Sequence, residues 1–315
     1  MRALITGASG FVGRHLSRHL LAARVEVVGI SAHPFGALEG VKTLACELLN
    51  ADLTARTIAA QQPDVIFHLA AQAYVPQAIA DPGRTLVNNT LAQLHVLEAA
   101  KRMDRPPVVV VVSSSEIYGA VPLEQLPISE EQSFRPRNPY AVSKVTQDML
   151  GLQYFLSDDL PVVRARPFNH IGPGQSDRFV VSNFARQIAE AEVGRSEPVL
   201  LVGNLEARRD FLDVRDVVRA YALMARPEFS GAVFNVASGQ AHAVQDVLDG
   251  LLALATVPVQ ARPDPARMRP SDVPYVVGDA SRLTAATGWR PEIPFCQSLR
   301  DSLDDWRARV AGRAA

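Results

Sequence analysis

The 315-residue chain lacks an excess of charge of either sign: 32 basic residues stand against 33 acidic ones, a formal net charge of −1. Without a basic stripe there is no electrostatic footprint for nucleic acid or an anionic membrane surface, so neither is expected as a partner. Cysteine is scarce. Cys46 and Cys296 are the only two and neither has metal-ligand spacing, so no metal site or disulfide framework is expected and a reducing, cytoplasmic setting fits. Long apolar runs are missing as well. The opening residues pass directly into the strand-like Ala3-Leu4-Ile5 with glycines close behind, a pattern of neither a signal peptide nor a membrane span. No internal repeat or low-complexity tract is present. What remains, 48% hydrophobic and 21% charged, is an ordinary globular composition with room for one large domain and a smaller lobe, and a small molecule is the expected ligand.

The first half alternates β-branched runs with amphipathic stretches, the pattern of βαβ units feeding a parallel sheet. Strands are expected at Arg2 to Thr6, Val25 to Ile30, Val41 to Cys46, Val65 to Leu69, Val108 to Ser113 and Val162 to Arg166, several of them nearly continuous in apolar residues, as strands buried on both faces should be. Helical stripes follow. Leu86, Leu91, Leu94, Leu97 and Ala100 make one, and Val142, Val145, Met149, Leu152 and Phe155 another. Both are apolar over a wide arc, so beyond covering the sheet they are expected to meet the same helices of a second copy in a two-fold dimer. After Pro167 the rhythm loosens. Helices are expected from Asn183 to Val193, from Asp213 to Ala225 and from Phe295 to Val310, with a strand at Ala232 to Val236 returning to the main sheet. The fold class is therefore α/β, a Rossmann-type doubly wound parallel sheet over residues 1–168 with return segments near 207–237. A smaller, interleaved substrate lobe is expected over 169–315.

Between the first strand and the first helix lies Thr6-Gly7-Ala8-Ser9-Gly10-Phe11-Val12-Gly13. Glycines there permit a tight turn and let backbone N–H groups approach a pyrophosphate, while Gly13 allows close helix-to-sheet packing. Gly7, Gly10, Phe11, Val12 and Gly13 are accordingly candidate cofactor residues. An acid on the ribose hydroxyls is expected about 20 residues onward, and it is absent. Ile30-Ser31-Ala32-His33 has no carboxylate to repel a 2′-phosphate and no arginine to bind one, so the cofactor is read as NADP(H) or NAD(H), with Ser31 at the ribose. Asp52 and Leu53, after the third strand, are candidates for the adenine, a helix cap being the alternative for Asp52. Leu69, Ala70 and Ala71 are candidates for the phosphates and ribose.

Tyr140 and Lys144 stand four apart, on one face of a helix. A free phenol, with a pKa of about 10, is a poor acid near neutrality, and a neighbouring ammonium favours the phenolate. Ser113-Ser114-Ser115 follows an apolar run, where the carboxyl end of a strand sets hydroxyls beside a ligand crevice. Tyrosine, lysine and hydroxyl form a set.

Gly7 to Gly13, His68-Leu69-Ala70-Ala71, the serines before Glu116-Ile117-Tyr118-Gly119, and Tyr140 with Lys144 together resemble the extended short-chain dehydrogenase/reductase family, nearly end to end. The resemblance implies Tyr140 as acid/base, Lys144 as the group that lowers its pKa and holds the nicotinamide ribose, and Ser114 as the donor to the reacting oxygen. Arg166-Pro167-Phe168-Asn169-His170-Ile171-Gly172-Pro173-Gly174-Gln175, Gly203 to Phe211 and Arg269 to Pro274 resemble the family's enzymes acting on GDP-mannose and its 4-keto-6-deoxy derivative, above all the reductases. The dehydratases of that group have Asn-His-Glu-Ser-Pro-Arg-Arg where this chain has Asn169 to Gln175, although Glu116 sits where they keep a catalytic glutamate. A GDP-sugar is thus the implied substrate, with Ser114, Ser115, Asn169, Arg209, Arg269 and Asp272 as candidate contacts. Arginine forks suit a diphosphate, and Asp272 suits the guanine edge. Two rivals stay open, a GDP-mannose 4,6-dehydratase and a cofactor-sensing protein that has lost catalysis.

Overall fold

The computed structural model describes residues 1–32, 38–267 and 273–312. In chain order its strands are β1 (Arg2–Thr6), β2 (Glu26–Ser31), β3 (Val41–Ala45), β4 (Val65–His68), β5 (Val108–Val112), β6 (Val162–Pro167), β7 (Asn169–Ile171), β8 (Val199–Val202), β9 (Arg208–Asp213), β10 (Val233–Val236), β11 (Ala241–Ala243) and β12 (Gln260–Pro263). The helices are α1 (Phe11–Ala22), α2 (Ala51–Gln61), α3 (Val75–Ala80), α4 (Pro82–Lys101), α5 (Pro139–Asp158), α6 (Val180–Glu192), α7 (Val214–Met224), α8 (Val244–Leu252), α9 (Ser281–Thr287) and α10 (Phe295–Val310).

Local chemistry accounts for the elements that matter most. The five consecutive valines of β5 are buried with little or no exposure except at Val112, because helices cover both faces of a parallel sheet. Helix α5 starts at Pro139, whose missing N–H is lost in a first turn anyway, after Asn138 accepts a hydrogen bond from the Ala141 N–H at 2.8 Å. Helix α7 is capped the same way by Asp213, which accepts from the Arg215 N–H.

The main sheet has seven strands in the order β10-β6-β5-β4-β1-β2-β3, and every pairing in it is parallel. Thr6, the last residue of β1, is level with Ile30 of β2 and His68 of β4. The order of the strands reverses at β1 and β4, so their carboxyl ends diverge into different crossovers and leave a crevice above the sheet. One face is covered by α1, α7 and the first core, with Leu16, Phe67, Val110, Tyr221 and Phe234 in it, and the other by α2, α4 and α5 over a second. A third core, built from α6, α8 and α10 around Phe184, Ile188, Leu248 and Leu303, carries the lobe.

The chain interleaves more than its periodicity suggests. Strand β10 joins β6 as expected, but β9 stays in a separate three-stranded sheet with β7 and β11. Farther on, Leu283 of α9 and Trp289 return to the first core, where the indole N–H donates to the Asp216 carbonyl at 3.0 Å. A single tryptophan with no periodic neighbours carries no helical signal, which is why the return is invisible in the pattern. Among the described residues no helix is long and apolar enough to cross a membrane.

Candidate active site

One cavity opens at the carboxyl ends of the main-sheet strands and another within the lobe. The first, of about 440 Å³, is lined by Gly7, Ser9 and Gly10 after β1, Ile30, Ser31 and Ala32 at the end of β2, Cys46, Glu47 and Leu48 after β3, Leu69 to Gln72 after β4, and residues of α3 and α4. Gly7 has φ +71 and a Cβ there would lie 3.0 Å from the Ala70 nitrogen, so the turn requires glycine. A Cβ on Gly13 would lie 2.4 Å from the Gly7 carbonyl oxygen, which fixes how closely α1 crosses the turn. This bare backbone cradle fits the adenosine and diphosphate portion of a dinucleotide. At its β2 end Ser9 and Ser31 share a hydrogen bond between their hydroxyls at 2.9 Å, and the Arg14 Nε donates to the Ser9 carbonyl at 2.9 Å.

Not every candidate cofactor residue faces this space. Gly7, Gly10, Ser31, Leu69, Ala70 and Ala71 line it; Phe11, Val12 and Gly13 do not. Phe11 packs instead against the rings of His15 and His170, at 5.5 and 6.1 Å. Asp52 and Leu53 are displaced too. They sit in the first turn of α2, Asp52 exposed and Leu53 packed against the second core, and the cap is Asn50, which accepts from the Leu53 N–H at 2.9 Å. Glu47 and Asp81 are the carboxylates lining the cavity among the described residues, Glu47 because β3 ends earlier than the apolar run and the chain turns into α2 only after Leu48 and Leu49. The His95 ring bonds the Leu48 carbonyl at 2.7 Å and pins that turn.

Tyr140, Lys144 and Ser114 meet where α5 crosses the end of β5. Tyr140 and Lys144 occupy one face of α5, both buried, with the Lys144 Nζ 5.9 Å from the centre of the phenol ring. The ammonium donates to the Val112 carbonyl at 2.9 Å, and the Ser113 hydroxyl donates to the Lys144 carbonyl at 3.1 Å, stitching helix to strand. Burial pushes the phenol up to about 12; a hydrogen bond with the Ser114 hydroxyl pulls it back and the Glu116 carboxylate pushes it up again. Burial alone lowers Lys144 to about 7. In the free protein burial therefore outweighs every other influence on both groups.

Glu116 opens this cluster toward the lobe. It lies in a 3₁₀ turn, Ser115–Tyr118, capped by Ser114, and its Oε2 accepts from the Asn138 side chain at 3.1 Å. Its negative charge also reaches Arg209, whose pKa burial lowers and Glu116 raises. Arg209, on β9, and Asn169, on β7, line the second cavity, of about 510 Å³, together with Tyr74, Asp177, Arg178, Asn183, Asn204 and Arg267. Asp210, the residue after Arg209, is buried and accepts from the N–H groups of Ser238, Gly239 and Gly278, which anchors the strand. Tyr140, Lys144, Ser114 and Ser115 line neither of these two cavities; Arg269 and Asp272 lie outside the described residues.

Several residues here escaped the sequence reading. Asn89, fully buried on α4, donates to the Ser143 hydroxyl at 2.9 Å and the Gln72 carbonyl at 3.0 Å, and the Ser143 hydroxyl in turn donates to the Tyr140 carbonyl at 2.7 Å. Its polarity inside an apolar helical stripe was the available signal. Tyr74, Arg178 and Arg267 had none, being loop residues brought to one cavity only by the tertiary fold.

The comparisons with known proteins agree with this geometry. Residues 4–302 match the family described as GDP-mannose 4,6 dehydratase. The chain belongs to that family. The chain has the extended short-chain dehydrogenase/reductase fold and is similar to a GDP-6-deoxy-D-mannose reductase of Pseudomonas aeruginosa, 42% identical over 309 residues and 98% of each chain. A GDP-mannose 4,6 dehydratase of Arabidopsis thaliana is 30% identical, over 96% of this chain and 86% of the relative. Among solved structures, RMD from Pseudomonas aeruginosa complexed with NADPH superposes with a TM-score of 0.87 at 41% identity, covering 98% of this chain and 99% of that one.

Proposed function

We propose that this chain reduces the C4 keto group of GDP-4-keto-6-deoxy-D-mannose to give GDP-D-rhamnose. The observation that carries this reading is the buried Tyr140, Lys144 and Ser114 cluster, joined electrostatically through Glu116 to Arg209 of the second cavity, in a chain 42% identical to a GDP-6-deoxy-D-mannose reductase. Bound NADPH supplies the hydride. Ser114 donates to the C4 oxygen as negative charge develops there, and Tyr140 gives that oxygen its proton. Lys144 would hold the nicotinamide ribose and supply positive charge on the phenol's side of it, its Nζ lying 5.9 Å from the centre of the Tyr140 ring. Residues 1–168, with the return near 207–237, hold the cofactor, while 169–315 supply most of the sugar contacts; Arg209, Arg269 and Asn169 serve the diphosphate and sugar, Ser115 the sugar, and Asp272 the base.

Ser31, standing where an acid for the ribose hydroxyls is expected at the end of β2, supports NADPH over NADH. Glu116 favours a second reading, a dehydratase acting on GDP-mannose, because its carboxylate is fixed by Asn138 beside both Tyr140 and Arg209. Product analysis separates them. Supplied with GDP-4-keto-6-deoxy-mannose, a reductase consumes NADPH in proportion to keto sugar and yields a 6-deoxyhexose recognisable by NMR; turnover of GDP-mannose with no net NADPH consumption would overturn the reductase reading in favour of the dehydratase.

Val87, Leu91, Val142 and Met149 remain exposed on α4 and α5, which supports a homodimer in which these helices form a four-helix bundle. Light scattering should give twice the chain mass, and a monomer at micromolar concentration excludes it. The cytoplasm suits a chain whose cysteines, Cys46 and Cys296, are both free.

A further inference from the structure

The rim of the second cavity carries a contact that no part of the proposed chemistry uses. Arg178, in the loop before α6, lays its guanidinium 5.5 Å from the centre of the Tyr74 ring, and Phe179 meets the same ring edge-on at 6.1 Å and 76°. Tyr74 belongs to the other side of the cleft. It follows β4 and caps α3, and its backbone is held in both directions by the Gln72 side chain, which accepts from the Tyr74 N–H and donates to its carbonyl. Gln72 lines the first cavity and Tyr74 the second. The contact therefore bridges the dinucleotide cradle and the lobe.

The electrostatics of the three arginines that line this cavity differ. Arg267 is engaged by Asp264 at 3.2 Å and by the Asn183 side-chain oxygen at 2.7 Å, and Arg209 feels Glu116. The acid next to Arg178 is Asp177, which pairs with Arg186 at 3.2 Å. Among the described residues no carboxylate pairs with Arg178, and its side chain is held by an aromatic face. That distinction matters physically. A carboxylate partner neutralises a guanidinium and must be displaced by an incoming anion, whereas a π face orients the cation and leaves its charge and its N–H fork available.

We propose that Arg178, oriented by Tyr74, is the cation that closes over the diphosphate of a nucleoside-diphosphate sugar, so that Tyr74, Arg178 and Phe179 form a clasp across the mouth of the second cavity. This rests on the nucleotide-sugar reading above but concerns the diphosphate and not the base or the keto group. Arg178 is a binding residue here and Tyr74 a positioning residue.

Calorimetric titration of the full chain with GDP, and separately with UDP, tests it. Arg178→Ala should weaken whichever nucleoside diphosphate binds the wild type by at least ~10-fold, with a shallower salt dependence. Arg178→Lys should recover part of the loss. Tyr74→Phe keeps the face and should leave affinity within about two-fold, while Tyr74→Leu should weaken it by several-fold. The NADPH dissociation constant should stay unchanged in all four variants. The clasp is overturned by an Arg178→Ala affinity within two-fold of wild type, by an equal loss of NADPH affinity, which would mark a purely structural role, or by no binding of either diphosphate to the wild type. The two ideas can fail separately. An Arg178-dependent diphosphate site in a protein that does not reduce the keto sugar removes the substrate reading alone, and an active reductase indifferent to Arg178→Ala removes the clasp alone.

Discussion

The Lys144 ammonium donates to the Val112 carbonyl at 2.9 Å, so the lysine is tied to the last residue of β5 as well as to its own helix. Burial lowers it to about 7, far below the ordinary lysine value of about 10.4. Between those two values the unfolded chain binds a proton that the folded chain does not, and stability therefore rises with pH across that interval. The cost of a buried charge is full below about pH 7 and fades as pH rises toward that of a free lysine. Thermal unfolding from pH 6 to pH 10 should show the wild type gaining on Lys144→Met, which has no such group. Parallel curves for the two proteins would mean that the amine stays charged in the fold.

Tyr140→Phe should leave the fold intact, because the phenol's described hydrogen bond is to the neighbouring Ser114 and its ring is already buried. On the proposed role it removes the proton donor and nothing else. NADPH affinity, read by cofactor fluorescence, should be kept, and kcat on the keto sugar should fall by roughly 10²- to 10⁴-fold. Turnover near the wild-type rate would move the proton to another group, Glu116 first.

How far this could be read in advance depended on whether a signal was local. The strands of the first half and helix α10 follow from periodicity, and α5 from Asn138 and Pro139 standing before Tyr140. The glycine turn was legible because its constraint, backbone meeting backbone, acts within a few residues. Asp52 falls outside the lining of the first cavity, where Glu47 stands, because a carboxylate soon after a strand satisfies the pattern wherever the strand actually stops. Arg178 and Tyr74 are about a hundred residues apart in the chain, and nothing local says that they touch. The protonation of Lys144 was equally hidden, since spacing shows proximity to Tyr140 but not the depth of burial that governs an amine.

Ser31 offers the cofactor test. Its hydroxyl shares a hydrogen bond with Ser9 at 2.9 Å on the wall of the first cavity, with Arg14 bonded to the Ser9 carbonyl. Ser31→Asp would set a carboxylate where a 2′-phosphate is proposed to lie and where a bare ribose could accept it as a partner. NADPH affinity should drop by ~10-fold or more, that for NADH should hold or improve, and the ratio of the two dissociation constants is the readout. An unchanged ratio would put the 2′-phosphate elsewhere.

Asp148 lies one turn beyond Lys144 on α5 and is fully buried between two arginines of β6. Its carboxylate accepts from Arg164 at 2.9 Å and from two nitrogens of Arg166 at 2.8 and 3.0 Å. The doubly bonded Arg166 is held above the ordinary arginine range by this pairing despite its burial, while burial lowers the singly bonded Arg164. Arg166 also donates to the Tyr118 hydroxyl at 3.0 Å, at the end of the turn that carries Ser115 and Glu116, and Tyr118 donates to Asn235 of β10 at 2.7 Å. One carboxylate thus fixes α5, β6 and the Glu116 turn relative to one another. Asp148→Asn keeps the shape but leaves two buried cations without a counter-charge, and a loss of ~3–5 kcal/mol in denaturant unfolding is expected. Should the variant unfold within ~1 kcal/mol of wild type, the cations must reach water or another acid, and the idea that Asp148 holds the site's frame fails. At temperatures where the variant stays folded, the same argument expects weaker turnover with NADPH affinity preserved, because the frame it loosens lies on the Glu116 side and not at the glycine turn.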